Sequence, residues 1–236
     1  MTDAIILAGG LGTRLKKLVS DVPKPMARIR DKPFLSYLMD YWIGEGVTRF
    51  VLSVGYKYEK IIELYGDEYR GAHIEYAVEE TPLGTGGGLL NAIRLCHVKS
   101  PVLVLNGDTM FPIDLELSRK FMRSTDAGFL ISLYRTDSEK RYSSVTLSEN
   151  GRITEIKSEV DSQDILVNGG VYLVNIEKLE SWAGLGRNIS LENEIIPYLI
   201  MNSKCVHGLE HKTKFLDIGL PKDFLSSESF LNTKNY

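Results

Sequence analysis

Cations set beside clustered glycines are the first chemistry this sequence offers. The segment Leu7-Ala8-Gly9-Gly10-Leu11-Gly12-Thr13-Arg14-Leu15 is followed by Val22-Pro23-Lys24-Pro25-Met26. Three glycines in four positions leave backbone N–H groups free to approach an anion with no Cβ in the way. Arg14 adds a planar, permanently charged fork suited to phosphate. Lys24 adds a point charge on a segment that its two flanking prolines stiffen. Two familiar phosphate loops do not fit. No GxxxxGK string followed by Ser or Thr occurs, and GxGxxG starting at Gly10 would need glycine where Leu15 stands. A tight glycine turn with solvated cations is the bland alternative.

A second glycine run, Glu79-Glu80-Thr81-Pro82-Leu83-Gly84-Thr85-Gly86-Gly87-Gly88, reads by itself as a flexible loop. Two aspartates then stand at the ends of short apolar segments. One closes Val102-Leu103-Val104-Leu105-Asn106-Gly107-Asp108, and the other lies in Phe215-Leu216-Asp217-Ile218-Gly219-Leu220-Pro221. A carboxylate at the carboxyl end of a strand lies on the ligand side of a parallel sheet. Mg²⁺ takes one or two carboxylates plus phosphates and water. Lone aspartates at turns are more often caps or turn formers.

The pattern LAGGxGTRL followed by PKPM closely resembles the signature of the sugar nucleotidyltransferases, and the resemblance runs along nearly the whole chain. The resemblance implies that Leu7, Ala8, Gly9, Gly10, Gly12 and Thr13 wrap a nucleoside triphosphate. Arg14 would hold the departing pyrophosphate and Lys24 the region of the sugar phosphate and α-phosphate. PLGTGG resembles the family's base-binding segment, so Glu79, Pro82, Gly84 and Thr85 are expected at the nucleotide, with Gly107. Asp108 and Asp217 are expected to hold Mg²⁺. Lys157 is expected on the sugar phosphate, in a segment where the family carries a second glutamate and this chain has Ile156. Asn106, Asn168, Gly169, Gly170 and Glu192 are expected on the sugar side, although Ser190 and Glu192 also read as a helix N-cap and a first-turn acid.

The resemblance also bears on the substrates. Thymidylyltransferases commonly have glutamine where Glu79 falls. Guanine presents two donors on one edge and a carboxylate is acceptor-only, so Glu79 leans toward GTP. A surface glutamate pair is the competing reading. The chain length, PLGTGG, VNGGVY and FLDIGLPKDF most resemble family members that act on a manno-heptose 1-phosphate. Uridylyl, thymidylyl or cytidylyl transfer, guanylyl transfer to mannose 1-phosphate, and a non-catalytic nucleotide-binding homologue are the alternatives.

These residues need a scaffold, and the chain alternates strand and helix signals. Strands are predicted at Ala4–Ala8, Phe50–Val54, Ile74–Val78 and Val102–Leu105, with helices at Pro33–Glu45, Tyr58–Leu64 and Gly86–Leu95. The second half is richer in strands, at Gly128–Tyr134, Ser144–Leu147, Gly151–Ile156 and Gly169–Val174. Helices are predicted at Leu191–Met201 and Pro221–Phe230. The expectation is an α/β fold: a Rossmann-like mixed, mainly parallel sheet flanked by helices. One domain over residues 1–236 is expected, with 1–110 serving the nucleotide and 111–236 the sugar.

Composition excludes little but points the same way. The 236 residues carry a net charge of -3, which does not suggest nucleic acid as a partner. Small-molecule substrates are expected, with no membrane partner and with a homodimer left open. Cys96 and Cys205 make no CxxC pair, and His73, His97, His207 and His211 form no metal spacing. No signal peptide and no apolar run near the roughly 18 residues of a membrane span is evident, so a cytoplasmic location is expected.

Overall fold

A computed structural model describes residues 2–10, 21–137, 143–158, 163–178, 188–202, 205–219 and 221–231. The first strand, β1 (Thr2–Ala8), buries Ala4, Ile5 and Ile6 completely. An unbroken apolar run is what a strand covered on both faces requires. A 3₁₀ turn at Lys24–Met26 leads to a ribbon of β2 (Arg28–Ile29) and β3 (Lys32–Pro33). Pro33 stands just before α1 (Phe34–Gly44), where a missing N–H costs nothing. Of Phe34, Leu38, Tyr41 and Trp42, whose spacing puts them on one face of α1, all but the half-buried Tyr41 are buried. Next come β4 (Val47–Val54), α2 (Tyr58–Tyr65), β5 (Glu68–Tyr69), β6 (Ala72–Val78), α3 (Gly84–Leu95) and β7 (Val102–Asn106).

These strands form the parallel centre of the sheet, in the order β7-β1-β4-β6. The face carrying Ile6 and Leu52 packs with α1 and Ile61 of α2, and the face carrying Ile5 and Val51 packs with Leu89 and Ala92 of α3. Ala8, Val54, Val78 and Asn106 therefore end at one edge, with a loop after each.

The second half widens the sheet. It contains β8 (Thr109–Met110), α4 (Leu115–Thr125), β9 (Phe129–Thr136), β10 (Ser144–Leu147), β11 (Ile153–Lys157) and β12 (Ile165–Val174). After these come α5 (Ile196–Asn202), β13 (Val206–Glu210), β14 (Leu216–Asp217) and α6 (Pro221–Leu231). β12 joins β7 antiparallel, β10 and β11 extend that edge antiparallel, and β9 with β13 branches from β12. The fold is thus mixed: parallel where β-α-β crossovers build it, and largely antiparallel where the later strands are added. β12 carries an irregular register between Asn168 and Tyr172, with Gly170 at φ +70. Such a bulge re-aims side chains next to functional sites.

Two local departures from the expected elements matter for the site. Glycines disfavour helix, yet α3 begins at Gly84 and runs through Gly86, Gly87 and Gly88. Close neighbours decide this: a Cβ on Gly88 would come within 2.7 Å of both Ser53 Oγ and Glu79 Oε1. The helix expected at Leu191–Met201 opens as a π-turn, Leu191–Ile195, before α5. Pro197 supplies no N–H to an α-helical first turn, and the wider turn accommodates it.

Candidate active site

A cavity of about 510 Å³ lies at the carboxyl ends of β1, β4, β6 and β7. Its wall is built from Leu7 and Ala8 at the end of β1 with Gly9 and Gly10 after it, Glu79 after β6, and Asn106 closing β7 with Gly107 and Asp108 after it. Pro82, Gly84 and Thr85 close one side, and Lys24 and Glu192 reach in from the neighbouring segments. A 2.9 Å hydrogen bond from Gly107 N–H to the Leu7 carbonyl ties the first and last of these loops together.

One end of the cavity concentrates charge. Lys24 is presented by the 3₁₀ turn, in which Met26 N–H donates to the Pro23 carbonyl and Pro25 and Met26 are buried as anchors. Its ammonium contacts the Asp108 carboxylate directly, and only 12% of the side chain is exposed. Asp217 arrives from β14, which pairs with β8 so that Asp217 lies opposite Thr109. The Asp108 carbonyl accepts from Ile218 N–H at 3.0 Å, locking the two strands side by side. Asp217 Oδ1 in turn accepts from Gly219 N–H at 2.6 Å. A Cβ on Gly219 would stand 2.6 Å from both Asp217 Oδ1 and Lys24 Nζ. Asp108 thus pairs with the Lys24 ammonium, and Asp217 stands on the strand that pairs with the residue after Asp108. Hard oxygen donors of this kind suit a divalent cation that keeps water and phosphate in its shell. Among the described residues, no group of three or more His, Cys, Asp or Glu side chains is arranged to hold a metal by itself.

The opposite side is organised around Glu79. Ser53 Oγ donates to its Oε1 at 2.9 Å, and Leu83 N–H donates to its Oε2 at 3.0 Å. The carboxylate lies on bare backbone, since a Cβ on Gly9 would come within 2.5 Å of Oε1.

A third cluster joins α3 to the second half. Glu192 accepts from Thr85 Oγ1 at 2.7 Å, Ser190 Oγ at 3.2 Å and Tyr172 Oη at 3.4 Å. Asn168 donates to Tyr172 Oη at 2.9 Å. Burial, and then the nearby Glu192 charge, push the Tyr172 phenol far above its ordinary pKa, so it stays a neutral donor. Ser190 does cap the π-turn, accepting from Asn193 N–H, but Glu192 turns into this network instead of only serving the turn. Asn106 Oδ1 and Thr109 Oγ1 are buried and lack a hydrogen-bond partner among the described residues. An unpaired buried acceptor costs about 1–3 kcal/mol, and Asn106 stands in the cavity wall where a ligand could satisfy it.

Of the residues expected from sequence, Leu7, Ala8, Gly9, Gly10, Lys24, Glu79, Pro82, Gly84, Thr85, Asn106, Gly107, Asp108 and Glu192 line this one cavity. Asp217 is not in this lining; it lines a neighbouring depression with Phe215 and Asp223, and its carboxylate lies near Lys24 across Gly219. Asn168, Gly169 and Gly170 stand behind the wall: Gly169 packs on Phe111, and Gly170 lies against Asn106 and Thr109. Lys157 is not brought in, because its exposed ammonium pairs with Glu155 at 2.9 Å on the edge strand β11. Gly12, Thr13 and Arg14 lie outside the described residues. Sequence reasoning missed Pro25, Ser53 and Asn188, which also line the cavity. The signal for Ser53 was a lone hydroxyl ending an apolar strand.

A family model described as nucleotidyl transferase matches residues 3–234. The chain belongs to the nucleotidyl transferase family. A D-glycero-α-D-manno-heptose 1-phosphate guanylyltransferase of Campylobacter jejuni is 37% identical over 94% of this chain and 96% of its own length. The protein of the same name from Aneurinibacillus thermoaerophilus is 35% identical over 97% and 98%. Among solved structures, HddC from Yersinia pseudotuberculosis complexed with GMP-PN superposes with a TM-score of 0.83 at 33% identity, covering 98% of this chain and 99% of that one. No described helix of this nucleotidyl transferase is long and apolar enough to cross a membrane.

Proposed function

We propose that this chain transfers guanylyl from GTP to a sugar 1-phosphate, with D-glycero-α-D-manno-heptose 1-phosphate as the sugar, giving a GDP-heptose and pyrophosphate. The observation that carries the reading is the pairing of Lys24 with Asp108 at one end of a cavity whose other wall holds Glu79, with Asp217 on the strand next to Asp108. The full-length relatives named for this reaction support the choice of GTP and heptose.

In this mechanism the sugar phosphate oxygen attacks the α-phosphorus in line. That oxygen is already anionic, so no general base is needed, and catalysis consists of positioning and charge neutralisation. The lining supports this need. Among the described residues, Lys24 is its single cation, set against Glu79, Asp108 and Glu192. A triphosphate entering this wall requires more positive charge. Asp108 and Asp217 would hold Mg²⁺, which when bound neutralises phosphate oxygens. Lys24 would reduce repulsion between the two reacting anions, and Arg14 would receive the leaving pyrophosphate. Asn106 and Glu192 would accept from sugar hydroxyls. Lys157 would meet the sugar phosphate only after leaving Glu155. Residues 1–110 then serve the nucleotide and 111–236 the sugar, and Thr85 meets Glu192 at their seam. A cytoplasmic enzyme supplying an activated heptose for surface polysaccharide, in capsule or lipopolysaccharide, is the role this reaction fits.

The test is pyrophosphate release across a matrix of nucleoside triphosphates and sugar 1-phosphates. GTP with the manno-heptose 1-phosphate should be fastest. Equal rates with every nucleotide, or no release with any pair, would refute the proposal.

A further inference from the structure

Ser53 is the buried polar group in this cavity that the proposed reaction does not yet use. It stands at the end of β4 in Phe50-Val51-Leu52-Ser53-Val54, where its neighbours in the strand are fully buried apolar side chains. Ser53 itself has no exposed surface by residue, yet its atoms form part of the cavity wall. A hydroxyl in such a strand is costly unless it is hydrogen-bonded. Its partner is the Glu79 carboxylate, through the 2.9 Å bond to Oε1.

We propose that Ser53 is a positioning residue for base selection: it fixes the plane of the Glu79 carboxylate so that its free lone pairs face the cavity as a paired acceptor. The inference rests on the reading of Glu79 as the group that meets the base. Four separate segments define the seat. β4 supplies the Ser53 hydroxyl, and the loop after β6 supplies the Leu83 N–H at 3.0 Å. The loop after β1 and helix α3 supply bare backbone at Gly9 and Gly88, where a Cβ would approach Oε1 to 2.5 and 2.7 Å. The same Cβ on Gly88 would come within 2.7 Å of Ser53 Oγ, so the hydroxyl is confined as tightly as the carboxylate.

The terminal torsion of glutamate is broad, and nothing intrinsic sets the carboxylate plane. One hydrogen bond, from Leu83, fixes one oxygen and leaves rotation about it. The second, from Ser53, removes that rotation. Each oxygen then keeps lone-pair capacity for one more donor. A pair of acceptors with a fixed plane is selective for a ligand edge with two adjacent N–H donors. The N1–H and 2-amino group of a 2-amino-6-oxopurine form such an edge. A purine that lacks the 2-amino group offers one donor and forfeits the second bond.

GTP and ITP differ only by that amino group, so their ratio of affinities reads the paired acceptor without needing the sugar. Equilibrium binding of each nucleotide with Mg²⁺ to the purified full chain is the measurement. The unaltered protein should bind GTP at least about tenfold more tightly than ITP, as a hydrogen bond to a charged acceptor implies. Ser53→Ala should bring the ratio down to about twofold, chiefly by weakening GTP and with little change for ITP. Ser53→Cys keeps the volume and donates weakly, so it should fall between the two and guards against a fold defect in the alanine variant. Glu79→Gln tests the underlying reading. If Glu79→Gln abolishes discrimination while both Ser53 variants retain it, the positioning role is wrong and the base reading stands. If discrimination survives in all three, or is missing from the unaltered protein, the base reading and the inference built on it both fail.

Discussion

Replacing Gly84 with alanine should destabilise the protein by about 2–5 kcal/mol and loosen the seam between the two halves of the cavity. Two separate costs produce this figure. Gly84 has φ +72, a region where an L-residue loses roughly 1–2 kcal/mol. The added Cβ would also stand 2.5 Å from the Ile189 carbonyl oxygen and 2.7 Å from Asn188 Oδ1. Overpacking of that kind typically costs about 1–3 kcal/mol. The clash falls on backbone, so a rotamer change cannot relieve it. The Ile189 carbonyl already accepts from Gly86 and Gly87 N–H at 2.9 and 3.2 Å, and pushing it away weakens both bonds. Thr85, which holds Glu192, moves with them. Two companion variants separate the costs. Gly46 has φ +87 and nothing within 4 Å of its would-be Cβ, so Gly46→Ala should show the conformational cost alone. Gly10 lines the cavity with no such neighbour and no positive φ, so Gly10→Ala should leave stability unchanged while weakening nucleotide binding. Urea unfolding followed by circular dichroism is the assay. With a slope of roughly 3 kcal/mol/M, Gly84→Ala should lower the midpoint by about 1 M. A Gly84→Ala midpoint equal to that of Gly46→Ala would show that the seam yields freely, and would refute the packing argument.

Other outcomes follow from single side chains. Lys24→Ala or Asp108→Ala should reduce pyrophosphate release on the order of a hundredfold, as loss of a transition-state charge partner does, while the melting temperature falls by only a few degrees; near-normal turnover in either variant would remove that residue from the chemistry. Burial pushes the His211 imidazole down to about 4. Between pH 4 and roughly 6.5 the unfolded chain therefore binds a proton that the folded chain refuses, so stability drops as pH falls through this window, by up to about 3 kcal/mol. Unfolding curves of His211→Asn should be correspondingly less steep in pH, and parallel profiles for the two proteins would count against the assignment. Arg49 bonds Asp3 at 2.7 Å, Glu75 at 2.8 Å and the Cys96 carbonyl at 2.5 Å, at the end of the strands away from the cavity. Arg49→Met should cost about 3 kcal/mol by leaving the buried Asp3 without its counter-charge, with kcat and KM unchanged; altered kinetics would reveal coupling to the site.

Much of the scaffold is legible in the chain because burial leaves a local trace. β1, β4 and β7 carry short apolar runs, at residues 4–8, 50–52 and 102–105, since helices cover both their faces, and α1 repeats its apolar residues at helical spacing behind Pro33. Helix α4 escaped because most of its side chains are charged or polar, although Asp114 caps it by accepting from Leu117 N–H at 2.8 Å. β13 escaped because glycine and histidine interrupt it and its pairing with β9 is non-local.

The phosphate end of the site was readable because an anion-binding loop needs glycines, rigid prolines and cations close together in sequence, and Gly9, Gly10, Lys24 and Pro25 do stand on the cavity wall. Its completion was not readable. Asp217 comes beside Asp108 only because two-residue strands, β8 and β14, pair across a long stretch of chain. Ser53 becomes significant only when β4 lies beside β6, so that one hydroxyl reaches Glu79. Lys157 shows the converse: its resemblance to a sugar-phosphate lysine is carried by local sequence, while its position on an outer strand sets it against Glu155. The order of residues alone determined which loop can approach an anion and where strands and helices alternate, because backbone freedom and hydrophobic period are local properties. Which distant carboxylate, hydroxyl or amide shares a wall with that loop was decided by sheet order and register, because hydrogen bonds a few ångströms long depend on neighbours that chain distance does not specify.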